Sequence, residues 1–159
     1  MSSCCEQLAA YFPAKFLEST HIATENNKTF RLDIPKGVRV KDVACLLKVD
    51  GGWIDDNDRI KCDYLMVCCA NKKLFLIELK GKNDHSGAIE QIIATLQTLK
   101  TKAKPLFDNN YECTGYVVAA RVPKTNTGFD KLKDKVRRDH QITIKLESQQ
   151  TLVKCHANQ

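Results

Sequence analysis

The residues with the strongest claim to chemistry lie near the middle of the chain. Asp63 is followed, after fourteen intervening residues, by Glu78-Leu79-Lys80. Two apolar stretches, Ile60 to Cys69 and Leu74 to Leu79, flank the polar linker Ala70-Asn71-Lys72-Lys73. Such a pattern predicts a tight antiparallel hairpin. Side chains alternate faces along a strand, so Glu78 and Lys80 share one. With Ala70 to Lys73 as an even-length loop, Lys80 pairs with Asp63 and Glu78 with Leu65. Asp63, Glu78 and Lys80 then project from one side, the two carboxylates as diagonal neighbours.

Leu74-Phe75-Leu76-Ile77 is apolar on both faces, as a central strand should be. Setting two carboxylates and an amine at its end costs free energy unless they bind something. Adjacent carboxylates repel, and a hard divalent cation such as Mg²⁺ relieves that repulsion. Such an ion polarises a phosphoryl oxygen and lowers the pKa of bound water. A lysine beside it orients that water or offsets charge developing on the phosphate. These are the parts needed to hydrolyse a phosphodiester. The competing explanation is a plain cross-strand salt bridge between Lys80 and Asp63.

Lys61-Cys62-Asp63-Tyr64-Leu65 and Phe75-Leu76-Ile77-Glu78-Leu79-Lys80-Gly81 together resemble the motif of the PD-(D/E)xK nuclease superfamily. That superfamily includes many restriction endonucleases and Holliday-junction resolvases. The resemblance covers about residues 43–120, and Cys62 stands where the pattern has proline. It implies an α/β fold with a restriction-endonuclease-like αβββαβ core, a central mixed β-sheet flanked by helices. It also implies a Mg²⁺-dependent endonuclease acting on DNA. Mg²⁺ or Mn²⁺ would be held by Asp63, Glu78 and the backbone carbonyl of Leu79, with Lys80 as the catalytic lysine. Many members place a glutamine near the metal on the helix after the motif. Gln91 lies in the first turns of that helix, off its apolar stripe, and is the matching candidate. Glu6 and Glu18 fall in or beside the first helix, where some members add an acid, but a surface position is the simpler expectation. Two alternatives share this fold: a catalytically inactive module that binds nucleic acid or protein, and an RNA-directed nuclease.

The elements that must carry these groups are readable along the chain. Cys4 to Leu17 has roughly helical spacing, with Pro13 as a break. Asn26-Asn27-Lys28 signals a loop and Pro35-Lys36-Gly37 a turn. Val43 to Val49 reads as a strand ended by Asp50-Gly51-Gly52. After the motif, Asp84 or Ser86 caps a helix whose apolar stripe runs from Ala88 to Ala103 and which Pro105 limits. Tyr116 to Ala120 is a strand of buried type, Phe129 to Arg138 a short basic helix. Ile142 to Leu146 and Thr151 to Cys155 close the chain as strands. The order is that of a mixed sheet with helices on its faces.

The chain has 159 residues, 43% apolar and 28% charged, with a net charge of +6. That length suits one domain over residues 1–159 and leaves little chain for a separate target-reading module. A homodimer or a targeting protein partner would then select the site of action. No apolar run approaches the ~20 residues of a membrane span, and no secretory signal is visible, so a cytoplasmic protein without membrane contact is expected. Eight cysteines in that setting should be mostly reduced thiols filling the core. Cys68 and Cys69, adjacent in a strand, must point to opposite faces. Lys82, Lys133, Arg137 and Arg138 are candidate phosphate contacts, although a solvated helix face is the default expectation for the last three. His85 is expected in an exposed loop, and Trp53 as a partly buried aromatic.

Overall fold

The structure, a computed structural model, describes residues 2–56, 60–80, 85–120, 122 and 127–155. The chain opens with α1 (Cys4–Leu8), which Ser3 caps by accepting the Glu6 amide on its Oγ at 3.2 Å. A 3₁₀ turn at Ala14–Phe16 follows Pro13 and leads into β1 (Leu17–Glu18). The first helix therefore ends at Leu8, well short of Leu17, and Pro13 keeps the chain from resuming it. Next come β2 (Ile22–Glu25), β3 (Lys28–Asp33), α2 (Val40–Val43), β4 (Ala44–Lys48), β5 (Tyr64–Cys68) and β6 (Lys73–Leu79). The second half holds α3 (His85–Lys102), α4 (Lys104–Asp108), β7 (Glu112–Ala119), α5 (Thr127–His140), β8 (Thr143–Ser148) and β9 (Gln150–Lys154).

Six strands form one mixed sheet in the order β1-β4-β5-β6-β7-β8. Neighbours from β1 to β6 run antiparallel, while β6, β7 and β8 are parallel. The protein is thus α/β, with its mixed sheet flanked by helices. On one face, Leu65, Leu74, Leu76 and Val117 pack against Ala88, Ile92, Leu96 and Leu99 of α3, with Leu8 of α1 and Val136 of α5. The three-and-four spacing of the α3 residues is what makes that stripe. The backbone comes so close at Gly115 that a Cβ would lie 2.5 Å from Ile144 Cδ1.

The other face carries an element absent from the expected order. Strands β2, β3 and β9 form a second sheet, β2-β3-β9, with β9 parallel to β3. Its Ala23, Phe30 and Leu32 pack against Phe75, Ile77, Tyr116 and Val118. Phe30 stands edge-on to Tyr116, ring centroids 5.1 Å apart. Asn26-Asn27, read as a loop, is the two-residue turn joining β2 to β3, with φ of 53° and 58°. Both residues in the left-handed region give a turn that suits the strands' twist, and asparagine tolerates it well.

The cysteines correct the expectation of reduced thiols. Cys4–Cys69, Cys5–Cys45 and Cys68–Cys155 are disulfides, with Cα separations of 5.8, 5.2 and 5.8 Å. Strand alternation sends Cys69 toward α1 and Cys68 toward the small sheet, so each reaches a different partner. Cys62 and Cys113 are the free cysteines. Among the described residues, no helix is long and apolar enough to cross a membrane.

Candidate metal centre

Strands β5 and β6 pair from Tyr64 with Ile77 to Cys68 with Lys73, so the connecting loop is Cys69 to Lys72. Relative to the expected hairpin the loop begins and ends one residue earlier. Lys72, at φ 57°, takes the left-handed turn position. Asp63 lies just outside this ladder: its amide goes to the Ile77 carbonyl, already level with Tyr64, so it is paired neither with Lys80, as expected, nor with Glu78. The loop still has an even length, so side chains within the ladder keep their predicted faces.

Asp63 is the joint of three strands. Its amide donates to the Ile77 carbonyl at 3.1 Å, and its own carbonyl accepts from Val49 and Asp50 at 3.0 and 3.3 Å. Its carboxylate Oδ2 accepts from the Leu79 amide at 2.8 Å. Glu78, the residue before Leu79, is only 3% exposed, with Oε2 lacking any hydrogen-bond partner. Burial raises the Glu78 pKa above the ordinary carboxyl range, and the hydrogen-bonded Asp63 carboxyl raises it further. The Lys80 charge acts in the opposite direction. Lys80 is half-buried and extends β6 by donating its amide to Val118 at 2.9 Å. Among the described residues, no ion pair joins Lys80 to either carboxylate, so the expected alternative of a Lys80–Asp63 salt bridge is not formed.

The donors available here are all oxygens: the Asp63 and Glu78 carboxylates and the Leu79 carbonyl. That set suits a hard cation, and the buried unpartnered Oε2 is an acceptor with nothing to accept from. The Leu79 carbonyl already receives the Asn26 side-chain amide at 3.0 Å, leaving it one further lone pair. As the side chains stand, no three His, Cys, Asp or Glu among the described residues converge on one point as a metal cage.

Gln91, on α3, donates from Nε2 to the Lys61 carbonyl at 3.1 Å, and its Oε1 is buried without a partner. One turn further on, Thr95 Oγ1 accepts the Cys62 amide at 2.9 Å. These two bonds dock α3 onto the strand entry that carries Asp63. Cys62, in the place of the motif's proline, is fully buried, which pushes its thiol pKa up, and nearby Glu78 pushes it further.

The basic candidates are not gathered around this centre. Lys82 lies outside the described residues. Lys133 is half-buried on α5, its ammonium 5.8 Å from the Phe129 ring centroid. Arg137 and Arg138 are exposed in the last turn of α5. That turn leads into β8, where Thr143 pairs with Thr114, itself level with Phe75. They therefore sit toward the opposite end of the strands from Glu78. His85 is not an exposed loop residue: it opens α3, is 9% exposed and meets the Phe129 ring edge-on at 5.8 Å. Trp53 is half-buried, edge-on to Phe12 at 5.0 Å.

Two further acids reach the centre without having been singled out in the sequence. Asp50 hangs from the Asp63 carbonyl at the end of β4 and faces the buried Lys61, whose Nζ is 3.7 Å from its Oδ1. Glu25, at the tip of the β2–β3 hairpin, lies near enough to Asp63 for the two carboxyls to act on each other electrostatically. Its pKa is raised, by desolvation first and then by the charges of Asp63 and Asp50. The Asn-Asn turn was the only sequence signal that could have led to Glu25. Compared with protein-family models, with curated proteins and with solved structures, the chain matches none.

Proposed function

We propose that this chain is a metal-dependent nuclease of the PD-(D/E)xK type, with a restriction-endonuclease-like core, that hydrolyses phosphodiester bonds of DNA. The observation that carries the reading is the neighbouring pair of Asp63, whose carboxylate takes the Leu79 amide, and Glu78, buried with an unpartnered oxygen, at the end of an apolar central strand. The order α1, β4, β5, β6, α3, β7 supports it, since β4-β5-β6 are antiparallel and β7 returns parallel to β6.

Asp63 and Glu78, with the Leu79 carbonyl, would hold Mg²⁺ or Mn²⁺. Bound there, the ion supplies Lewis acidity toward a phosphoryl oxygen and a water of lowered pKa. Lys80, which forms no ion pair with either carboxylate, would orient that water and offset charge on the phosphate. Gln91 acts as a positioning residue, fixing the Lys61 carbonyl and thereby the Asp63 segment. The net charge of +6 favours a polyanionic substrate. The three disulfides argue for an oxidising working compartment in place of the expected cytoplasm.

The test is cleavage of plasmid, branched and single-stranded DNA, and of RNA of the same sequence, with Mg²⁺ or with chelator. Wild type should cleave DNA only with the ion, and Glu78→Ala should lose about 10²–10³-fold or more in rate. Preferential cleavage of RNA would redirect the reading to an RNA nuclease. If wild type and Glu78→Ala are equally inert on every substrate, the catalytic reading fails.

A further inference from the structure

Helix α3 begins at the edge of the sheet where Glu78 lies. Its apolar stripe packs over Leu74 and Leu76, and β7 runs parallel to β6, so the helix crosses back over the sheet with its first turn at the carboxyl end of β6. Glu78 points to that side of the sheet, since it alternates in step with Leu74 and Leu76. Helix α5 starts at the same edge, after β7. His85 opens α3, and its ring stands edge-on to Phe129 in the first turn of α5, centroids 5.8 Å apart. The imidazole therefore sits in the crevice between two helix starts. His85 is 9% exposed, and among the described residues its buried Nε2 has no hydrogen-bond partner. A histidine that merely fills a core has its ring nitrogens paired, because an orphaned polar atom in a dry place costs stability. Glu78 Oε2 and Gln91 Oε1 are orphaned in the same way, so three such atoms belong to the end of β6 and the first two turns of α3. The first turn of α3 carries no acid among the described residues. Lys80 follows β6, and the Lys133 ammonium lies 5.8 Å from the Phe129 centroid. A helix start with cations about it suits an anion.

We propose that His85 is a substrate contact, donating from Nε2 to a non-bridging oxygen of a DNA phosphate next to the one cleaved. The inference rests on the nuclease reading given above and adds a group that grips the strand beside the reacting phosphate. Phosphate contacts of this kind fix register on the nucleic acid and carry no base preference. The bond is made alike before and during the reaction, so it tightens binding without raising kcat.

A labelled DNA duplex titrated in chelator and followed by fluorescence anisotropy gives Kd without cleavage, while KM and kcat are measured with Mg²⁺. His85→Phe keeps a ring against Phe129 and removes the donor. Its Kd and KM should rise about tenfold or more, with kcat within about twofold of wild type. His85→Gln donates from nearly the place of Nε2 and should stay within about threefold of wild type in Kd. His85→Asn, whose amide stops short of that place, should bind as weakly as His85→Phe, and it carries the test if the phenylalanine variant does not fold. Melting temperatures verify that each variant is folded. If wild type binds and cleaves DNA and the folded His85→Phe or His85→Asn does both equally well, the inference falls while the nuclease reading stands. A fall in kcat at unchanged Kd and KM would overturn it too. If wild type neither binds nor cleaves DNA, both readings fall together.

Discussion

Glu78 is held in a place that water barely reaches, near a second carboxyl, and its raised pKa follows from both. A carboxyl whose pKa is higher folded than unfolded, where it is ~4.3, stabilises the fold while protonated. That contribution is fully present below the ordinary carboxyl range and is lost as pH rises toward the folded-state value. Ion-free protein should therefore lose stability as pH rises from ~4.3 toward about 10, measured by urea denaturation across the range. Glu78→Gln should remove most of that slope, and millimolar Mg²⁺ should restore stability at the upper end. A flat profile for ion-free wild type would mean that Glu78 ionises without cost. At this scale the sequence was informative about Asp63, Glu78 and Lys80, because a charged trio ending an apolar run is conspicuous. Glu25 was not legible: a glutamate before Asn-Asn looks like any surface turn, and only the packing of a second sheet brings it to Asp63.

The central hairpin illustrates how element-level reasoning tolerates error. Its loop lies one residue earlier than the pattern predicts, yet an even-length loop keeps the side chains from Tyr64 to Cys68 on their predicted faces, while Asp63 lies just beyond the paired stretch. Strand β6 and helix α3 were legible for the plainest reasons, a double-faced apolar run and a three-and-four stripe. The β2–β3 hairpin escaped because its strands are short and largely polar, with Phe30 and Leu32 the main apolar anchors. Helix α3 holds its place over the sheet through close contact at Gly115, where an added Cβ would lie 2.9 Å from Ile92 Cγ2 as well as 2.5 Å from Ile144. Gly115→Ala should destabilise the protein by ~1–3 kcal/mol, read from the denaturation midpoint. Because Gln91 and Thr95 on the same helix hold the Asp63 segment, the ion affinity of that variant should fall as well.

Across the whole molecule, three disulfides join segments 65, 40 and 87 residues apart in sequence. Each should contribute ~2–4 kcal/mol, mainly by restricting the unfolded chain. Alkylation of denatured, unreduced protein should label two cysteines, Cys62 and Cys113, and reduction should label all eight and lower the melting temperature. Labelling of eight without reduction would contradict the pairing. Alternation along β5 made the opposed directions of Cys68 and Cys69 readable, but not their partners, since Cys155 and Cys4 come from opposite ends of the chain. Cys68–Cys155 also fastens the end of β9 to β5, so the two sheets are linked covalently. The most direct test of the candidate ion site is a crystal grown with Mn²⁺ and measured at the manganese absorption edge. The account predicts an anomalous peak between the Asp63 and Glu78 carboxylates, adjoining the Leu79 carbonyl. Full-occupancy Mn²⁺ elsewhere, with no peak between the two carboxylates, would contradict it.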